Sequence, residues 1–191
     1  MTSPSSTEIG VSQRRQARAL VRALASQGRL VSGRESRAIL GLYGIRTPRE
    51  VLAPNFEDAV EAANEIGYPV VLKADAPDLF RRTEAGAIVL DVPDEVTLRR
   101  CFKRVLTNAW GAVPAFTVTG VLVQERVAGG GEVAVRMSEA STTAPPTPDF
   151  AWRFAELCRD LRDLVEEIEV NPVIVDADGA CAVDCVIVPT I

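Results

Sequence analysis

The sequence has no histidine among its 191 residues. That absence excludes a Ser-His-Asp triad, a Cys-His nucleophile pair, any imidazole-bearing metal site and any phosphohistidine. The cysteines are few: Cys101, Cys158, Cys181 and Cys185. They form no CxxC pair, which argues against zinc and thioredoxin-type sites. Cys181 and Cys185 are four apart in an expected strand and share one face. Buried, reduced thiols in a cytoplasmic protein are the expectation for all four. A basic excess is also lacking: 21 Lys+Arg against 26 Asp+Glu give a net charge of -5. Binding a nucleic-acid duplex needs positive charge against phosphate, so that partner is not expected. No apolar run approaches the roughly 20 residues of a membrane span. The N-terminal stretch lacks the apolar segment of a secretory signal. Neither a Walker A loop nor GxGxxG occurs, which argues against a P-loop or Rossmann nucleotide site.

What remains is an ordinary globular composition, 47% hydrophobic and 25% charged. A chain of this length buries about two-thirds of its unfolded surface and needs no disulfide or metal staple. One domain, or two small lobes, is expected. Residues 1–12 are rich in Ser and Thr and read as a disordered tail. Helical periodicity begins at Gln13, with Ala17, Leu20, Val21, Leu24 and Ala25 on one stripe and arginines opposite, read as a solvated face. Ser32 with Glu35 three positions on forms a capping box for a second helix, and Gly44 sits at its end. Helices are expected over 56–66, 93–109 and 150–164. Strands are expected over 69–73, 86–91, 120–126, 167–176 and 180–188. Residues 132–137 are expected to pair back on 120–126 as a hairpin across the glycine turn. Asp176-Ala177-Asp178-Gly179 signals a second hairpin. Helices alternate with strands early and hairpins dominate late, which gives an α/β (α+β) architecture in two lobes of mixed sheet with flanking helices. The expected segments are a tail over 1–12, N-terminal helices over 13–48, a first lobe over 49–116 and a shortened second lobe over 117–191.

Three local features carry chemistry. Lys73 ends an apolar strand, where its charge could meet an anion or simply reach to solvent. The strand around VLVQERV, a triple-glycine turn and Glu132 could meet a nucleoside, or be a plain hairpin. Asn171 and Asp184 lie on paired strands, where their oxygens could hold Mg²⁺ or merely mark turn and edge polarity.

The order of these features resembles the ATP-grasp domain of NDP-forming acyl-CoA synthetases, the β-subunit type also similar to succinyl-CoA ligase β. The stretches that carry the resemblance are SGRESRAILGLYGIRTP, EDAVEAANEIGYPVVLKADAPDL, RRTEAGAIVL, GVLVQERVAGGGEV and EEIEVNPVIVDADGACAVD. The resemblance implies an ATP-grasp fold holding ATP or ADP with Mg²⁺ between two lobes. It implies Lys73 on the nucleotide phosphates and Gly86 in the loop that covers them. It implies adenine against the backbone of Glu125 and Val127, ribose at Glu132, and Mg²⁺ held by Asn171 and Asp184. It assigns no catalytic residue.

Two departures from the family pattern stand out. Several dozen residues that normally follow the ribose-binding Glu are replaced by a short loop around SEASTTAPPTPDF. Arg81-Arg82 stands where the family commonly has His-Lys, and an always-protonated guanidinium cannot accept a phosphoryl group. The resemblance therefore implies one of two roles. One is the ATP-binding component of an acyl-CoA synthetase, partnered by a separate CoA-binding ligase subunit of the α type. The other is a non-catalytic ATP-grasp module with a regulatory or partner-binding role.

Overall fold

The computed structural model describes residues 9–27, 31–76, 79, 84–129, 131–137 and 146–190. In chain order the elements are α1 (Val11–Ala25), α2 (Gly33–Leu42), β1 (Glu50–Ala53), α3 (Phe56–Ile66), β2 (Val70–Asp75) and β3 (Ile88–Val92). There follow α4 (Glu95–Ala112), β4 (Gly120–Glu125), β5 (Gly131–Arg136), α5 (Pro148–Leu161), β6 (Val165–Asp176), β7 (Gly179–Ala182) and β8 (Cys185–Pro189). They form two compact units. One is Pro48–Val127; the other joins Met1–Thr47 to Ala128–Ile191.

In the unit Pro48–Val127 the sheet order is β1-β4-β2-β3, with every neighbouring pair antiparallel. Side-chain alternation sends Val70, Leu72 and Ala74 of β2 and Val121 and Val123 of β4 to one face. There they pack with Ala59, Ala62 and Ala63 of α3 and Leu98, Phe102 and Val105 of α4. Asn55 caps α3 by accepting the Asp58 N–H at 2.9 Å. Asp94 caps α4 by accepting the Thr97 N–H at 2.7 Å. Each cap satisfies a donor that the first helical turn leaves unpaired. With one face of β2 committed to the helices, Val71, Lys73 and Asp75 occupy the other.

In the second unit β6 is the organising strand. Its first half pairs with β8, and its second half pairs with β7 and β5, all antiparallel. Helices α1, α2 and α5 supply Val21, Leu24, Ile39, Leu40, Phe150, Leu157 and Leu161, and Tyr43 just after α2 joins them, in a core that includes Ile168, Val170 and Ile187 of the sheet. The capping box of α2 is formed as expected: Ser32 Oγ accepts the Glu35 N–H at 3.2 Å, and Glu35 Oε2 accepts the Ser32 N–H at 2.9 Å. The hairpin at Asp176 also forms, with Asp176 Oδ1 accepting the Asp178 N–H at 2.9 Å.

Several expectations need correction. Residues 132–137 do not pair back on 120–126. β4 already has β1 and β2 as neighbours, so neither of its edges is open, and β5 pairs with β6 in the other unit instead. For the same reason β4 belongs with residues 48–127, and the N-terminal helices pack with 128–191, so the compact units do not follow the expected boundary at 116/117. The expected tail over 1–12 is ordered where it is described. Ile9 joins the core and α1 starts at Val11, while residues 1–8 lie outside the described residues.

The arginines of α1 are not a purely solvated face. Arg14 pairs with Glu156 and Asp160 of α5, and Arg18 makes a fork-to-fork pair with Asp163 at 2.6 and 2.7 Å. Tyr43 Oη donates to Asp160 at 3.1 Å. Glu156 and Asp160 lie four apart on α5 and Asp163 in the turn just after it, opposite arginines four apart on α1.

Candidate functional site

The residues singled out in the sequence divide between the two units. Lys73, Gly86, Glu125 and Val127 lie in Pro48–Val127; Glu132, Asn171 and Asp184 lie in the other. Each set is built by its own sheet.

In the first set, β2 runs to Asp75, past the strand end expected at Lys73. Lys73 is 3% exposed and sits in register with Leu122 on β4 and Ile88 on β3. It is thus a central-strand lysine on the face away from the helices. Asp75 shares that face, is 2% exposed, and accepts the Thr119 hydroxyl through Oδ2. Gln124 follows on the neighbouring strand, donating to Glu50 at 2.9 Å. Asp75 Oδ1 and Gln124 Oε1 are buried acceptors with no protein donor among the described residues. The face therefore combines a buried ammonium with acceptors that a ligand donor can meet.

Gly86 lies at the Lys73 end of β2, where Ala74 N–H donates to Ala87 O at 2.9 Å. Its φ of +65° is one that L side chains rarely adopt. A Cβ there would also lie 2.7 Å from Asn108 Nδ2, the group that donates to Gly86 O at 2.9 Å. The glycine is thus favoured by its own backbone, and any side chain there would have to displace the Asn108 amide, whatever lies beyond it. Glu125 is at the opposite end of β2, in register with Val70. Its N–H donates to Arg49 O at 2.8 Å and its carboxylate pairs with Arg49 at 3.2 Å. Val127 is half-buried, two residues beyond the end of β4. The preceding Arg81-Arg82 pair lies outside the described residues.

In the second set, Asn171 and Asp184 are brought together. Asn171 N–H donates to Asp184 O at 3.0 Å, which locks the two backbones side by side. Asn171 Nδ2 donates to Glu169 Oε1 at 3.2 Å, which leaves the Asn171 Oδ1 end of the amide as the acceptor. Glu169 in turn pairs with Arg136 of β5 at 2.9 Å. Glu132 is on the same strand as Arg136, exposed, and in register with Ile174. Gly129, just before β5, passes so close to β6 that a Cβ would lie 2.8 Å from Val175 O, so no larger residue fits the approach. Burial pushes the neighbouring Cys185 thiol far up, with Asp184 adding to the shift.

This donor set suits Mg²⁺. Asn171 and Asp184 offer hard oxygen atoms, and no cluster of three or more His, Cys, Asp or Glu fit for a metal exists among the described residues. Mg²⁺ is characteristically held by one or two carboxylates with phosphate and water completing the shell, so a sparse oxygen set fits it.

Sequence reasoning missed Arg37. It is 3% exposed on α2, and its NH1 lies 2.7 Å from Asp184 Oδ1. The signal was present: Gly33, Ser36, Arg37 and Leu40 form the buried stripe of α2, and a charge on such a stripe needs a fixed partner. Asp75 was missed because the strand was ended at Lys73.

Comparison with known proteins agrees with this architecture. Residues 22–145 match the ATP-grasp domain family. The chain is similar to subunit β of acetate–CoA ligase (ADP-forming) I of Pyrococcus furiosus, 28% identical over 176 residues, or 85% of this chain and 76% of that one. It is also similar to acetate–CoA ligase (ADP-forming) I of Archaeoglobus fulgidus, 31% identical over 170 residues, which is 82% of this chain but 25% of that longer protein. A crystal structure from Pyrococcus horikoshii superposes with a TM-score of 0.82 at 24% identity, covering 93% of this chain and 99% of that one. The dinucleotide-forming acetyl-coenzyme A synthetase 1 of Candidatus Korarchaeum cryptofilum, in complex with coenzyme A, Ca-AMPCP and HgCl⁺, gives 0.77 at 21% identity, covering 91% and 100%. At these identities the structural likeness speaks to fold alone. The family match spans more than half of the chain, and on that ground the chain belongs to the ATP-grasp domain family.

Proposed function

We propose that this chain is the ATP-binding component of an NDP-forming acyl-CoA synthetase, working with a separate CoA-binding ligase subunit. The reaction is acyl-CoA + ADP + phosphate ⇌ acid + CoA + ATP. Phosphate displaces CoA from the thioester, and the phosphoryl group then passes to ADP with release of the acid. The chain's share is the nucleotide end. Such transfer is achieved mainly by positioning and by neutralising charge. Lys73 faces the phosphates, Glu132 the ribose, and the backbone beside Glu125 and Val127 the adenine. Asn171 and Asp184 hold Mg²⁺, which would neutralise phosphate charge when bound.

The observation that carries this reading is the Asn171–Asp184 pair. A direct backbone hydrogen bond sets Asn171 of β6 beside Asp184, which lies in the link between β7 and β8, in a domain of this family. The thioester chemistry belongs to the ligase subunit. With no histidine in the chain, a phosphohistidine relay cannot run through its own residues.

That same absence favours a second reading, a nucleotide-binding module without catalysis. The test is reconstitution. The purified chain is mixed with a CoA-binding ligase subunit, acetyl-CoA, ADP, phosphate and Mg²⁺, and ATP is measured by luciferase. ATP formation that needs both chains and is lost in Lys73→Ala supports the synthetase reading. Nucleotide binding without ATP formation supports the module.

A further inference from the structure

The buried Arg37 meets one of the two proposed metal ligands directly. Its NH1 lies 2.7 Å from Asp184 Oδ1, and the same oxygen accepts the Cys185 N–H at 3.0 Å. Arg37 is 3% exposed, whereas the Asp184 side chain is 23% exposed. The contact is therefore anchored from inside the protein, and the carboxylate is reachable from outside. A guanidinium keeps its proton at any ordinary pH, so its positive charge is permanent. A divalent ion approaching Asp184 meets a carboxylate already neutralised by a fixed cation.

We propose that Arg37 is an internal cation that shares Asp184 with the divalent ion and thereby sets how tightly that ion is held. The proposal rests on the reading that Asn171 and Asp184 are the ligands. Two positive centres within a few ångströms of one carboxylate repel each other strongly even at a protein-like effective dielectric. That repulsion weakens the ion in the absence of nucleotide. Phosphate oxygens bring the additional negative charge that offsets it, so the ion enters with the nucleotide and not before. Arg37 acts through Asp184 as a positioning residue.

The test is Mn²⁺ titration without nucleotide, followed by the electron paramagnetic resonance signal of the free ion. The proteins are wild type, Arg37→Gln, Arg37→Lys, Asp184→Asn and the Arg37→Gln/Asp184→Asn double variant. Arg37→Gln should bind Mn²⁺ about tenfold more tightly than wild type. Arg37→Lys, which keeps the charge, should stay near wild type. The double variant should lose the gain. Equal or weaker affinity in Arg37→Gln overturns the role of Arg37. A gain that survives Asp184→Asn overturns the ligand assignment, so the two failures are distinguishable. If the neutral variant does not fold alone, Mn²⁺ should restore its circular dichroism spectrum, because the ion then replaces the missing cation. Failure of Mn²⁺ to restore it overturns the proposal.

Discussion

Leu157→Ala should weaken one unit of the molecule and spare the other. Leu157 is fully buried on α5, in the core that α1, α2 and α5 build over β6 and β8. Truncating a buried leucine removes its transfer free energy and leaves a cavity that neighbours fill only in part, at a cost of about 2–5 kcal/mol. With a urea slope of about 2 kcal/mol per molar, the unfolding midpoint should fall by roughly 1–2.5 M. The core of Pro48–Val127 contains no residue of that cluster, so its own transition should not move. Two tryptophans allow the comparison: Trp152 lies on α5 and Trp110 on α4. Urea unfolding is followed by fluorescence in Trp110→Phe and Trp152→Phe backgrounds, each with and without Leu157→Ala. A shift seen by Trp152 and absent from the Trp110 signal is expected. Equal shifts in both signals would refute the assignment of two separate cores.

Acid should weaken the unit that contains α1, α2 and α5. Arg18 holds the Asp163 carboxyl down to about 2, and Arg14 and Arg46 hold Glu156 and Asp176 below their ordinary values. Groups with depressed folded pKa values contribute stability that is present above the unfolded carboxylate range, about pH 4, and lost as pH falls toward 2. The Trp152-reported urea midpoint should therefore drop over that window, and Arg18→Ala should flatten the drop; a midpoint that rises on acidification contradicts the ion-pair reading. Gly86→Ala should cost about 1–2 kcal/mol, because alanine at φ +65° is strained and its Cβ meets Asn108. The Trp110 transition measures that cost, and an unchanged midpoint would show that the turn relaxes freely. Burial pushes the Cys158 thiol up to about 12, and Cys101, Cys181 and Cys185 are buried. Dithionitrobenzoate at pH 8 should thus react slowly with native protein and fully in urea; rapid native labelling would contradict the burial of these thiols.

Local signals were legible in the sequence wherever one segment decides its own structure. The capping box at Ser32 and Glu35, the turn at Asp176–Gly179 and the glycine ending α2 are of this kind. Pairing between distant segments was not. Nothing in GVLVQERVAGGGEV states that β4 is claimed from both sides by β1 and β2, so a glycine-rich turn between two strands read as a hairpin. The same limit hid the ion pairs of Arg14 and Arg18, whose partners lie more than 140 positions away. The candidate site shows both sides of this. Strand pattern and family resemblance point to Lys73, Asn171 and Asp184 as candidates. The buried Arg37 beside Asp184, and Asp75 on the Lys73 face, become visible only once α2 and β2 are folded.

Calorimetric titration of ATP into the wild-type chain and into Lys73→Ala, each with and without Mg²⁺, tests most directly whether this is a nucleotide-binding component. Binding by wild type that requires Mg²⁺ is expected, with a loss of about 1.5–3 kcal/mol in Lys73→Ala, the scale of a hydrogen bond to a charged group. Equal affinity in the two proteins, or no binding by wild type at saturating Mg²⁺, would contradict it.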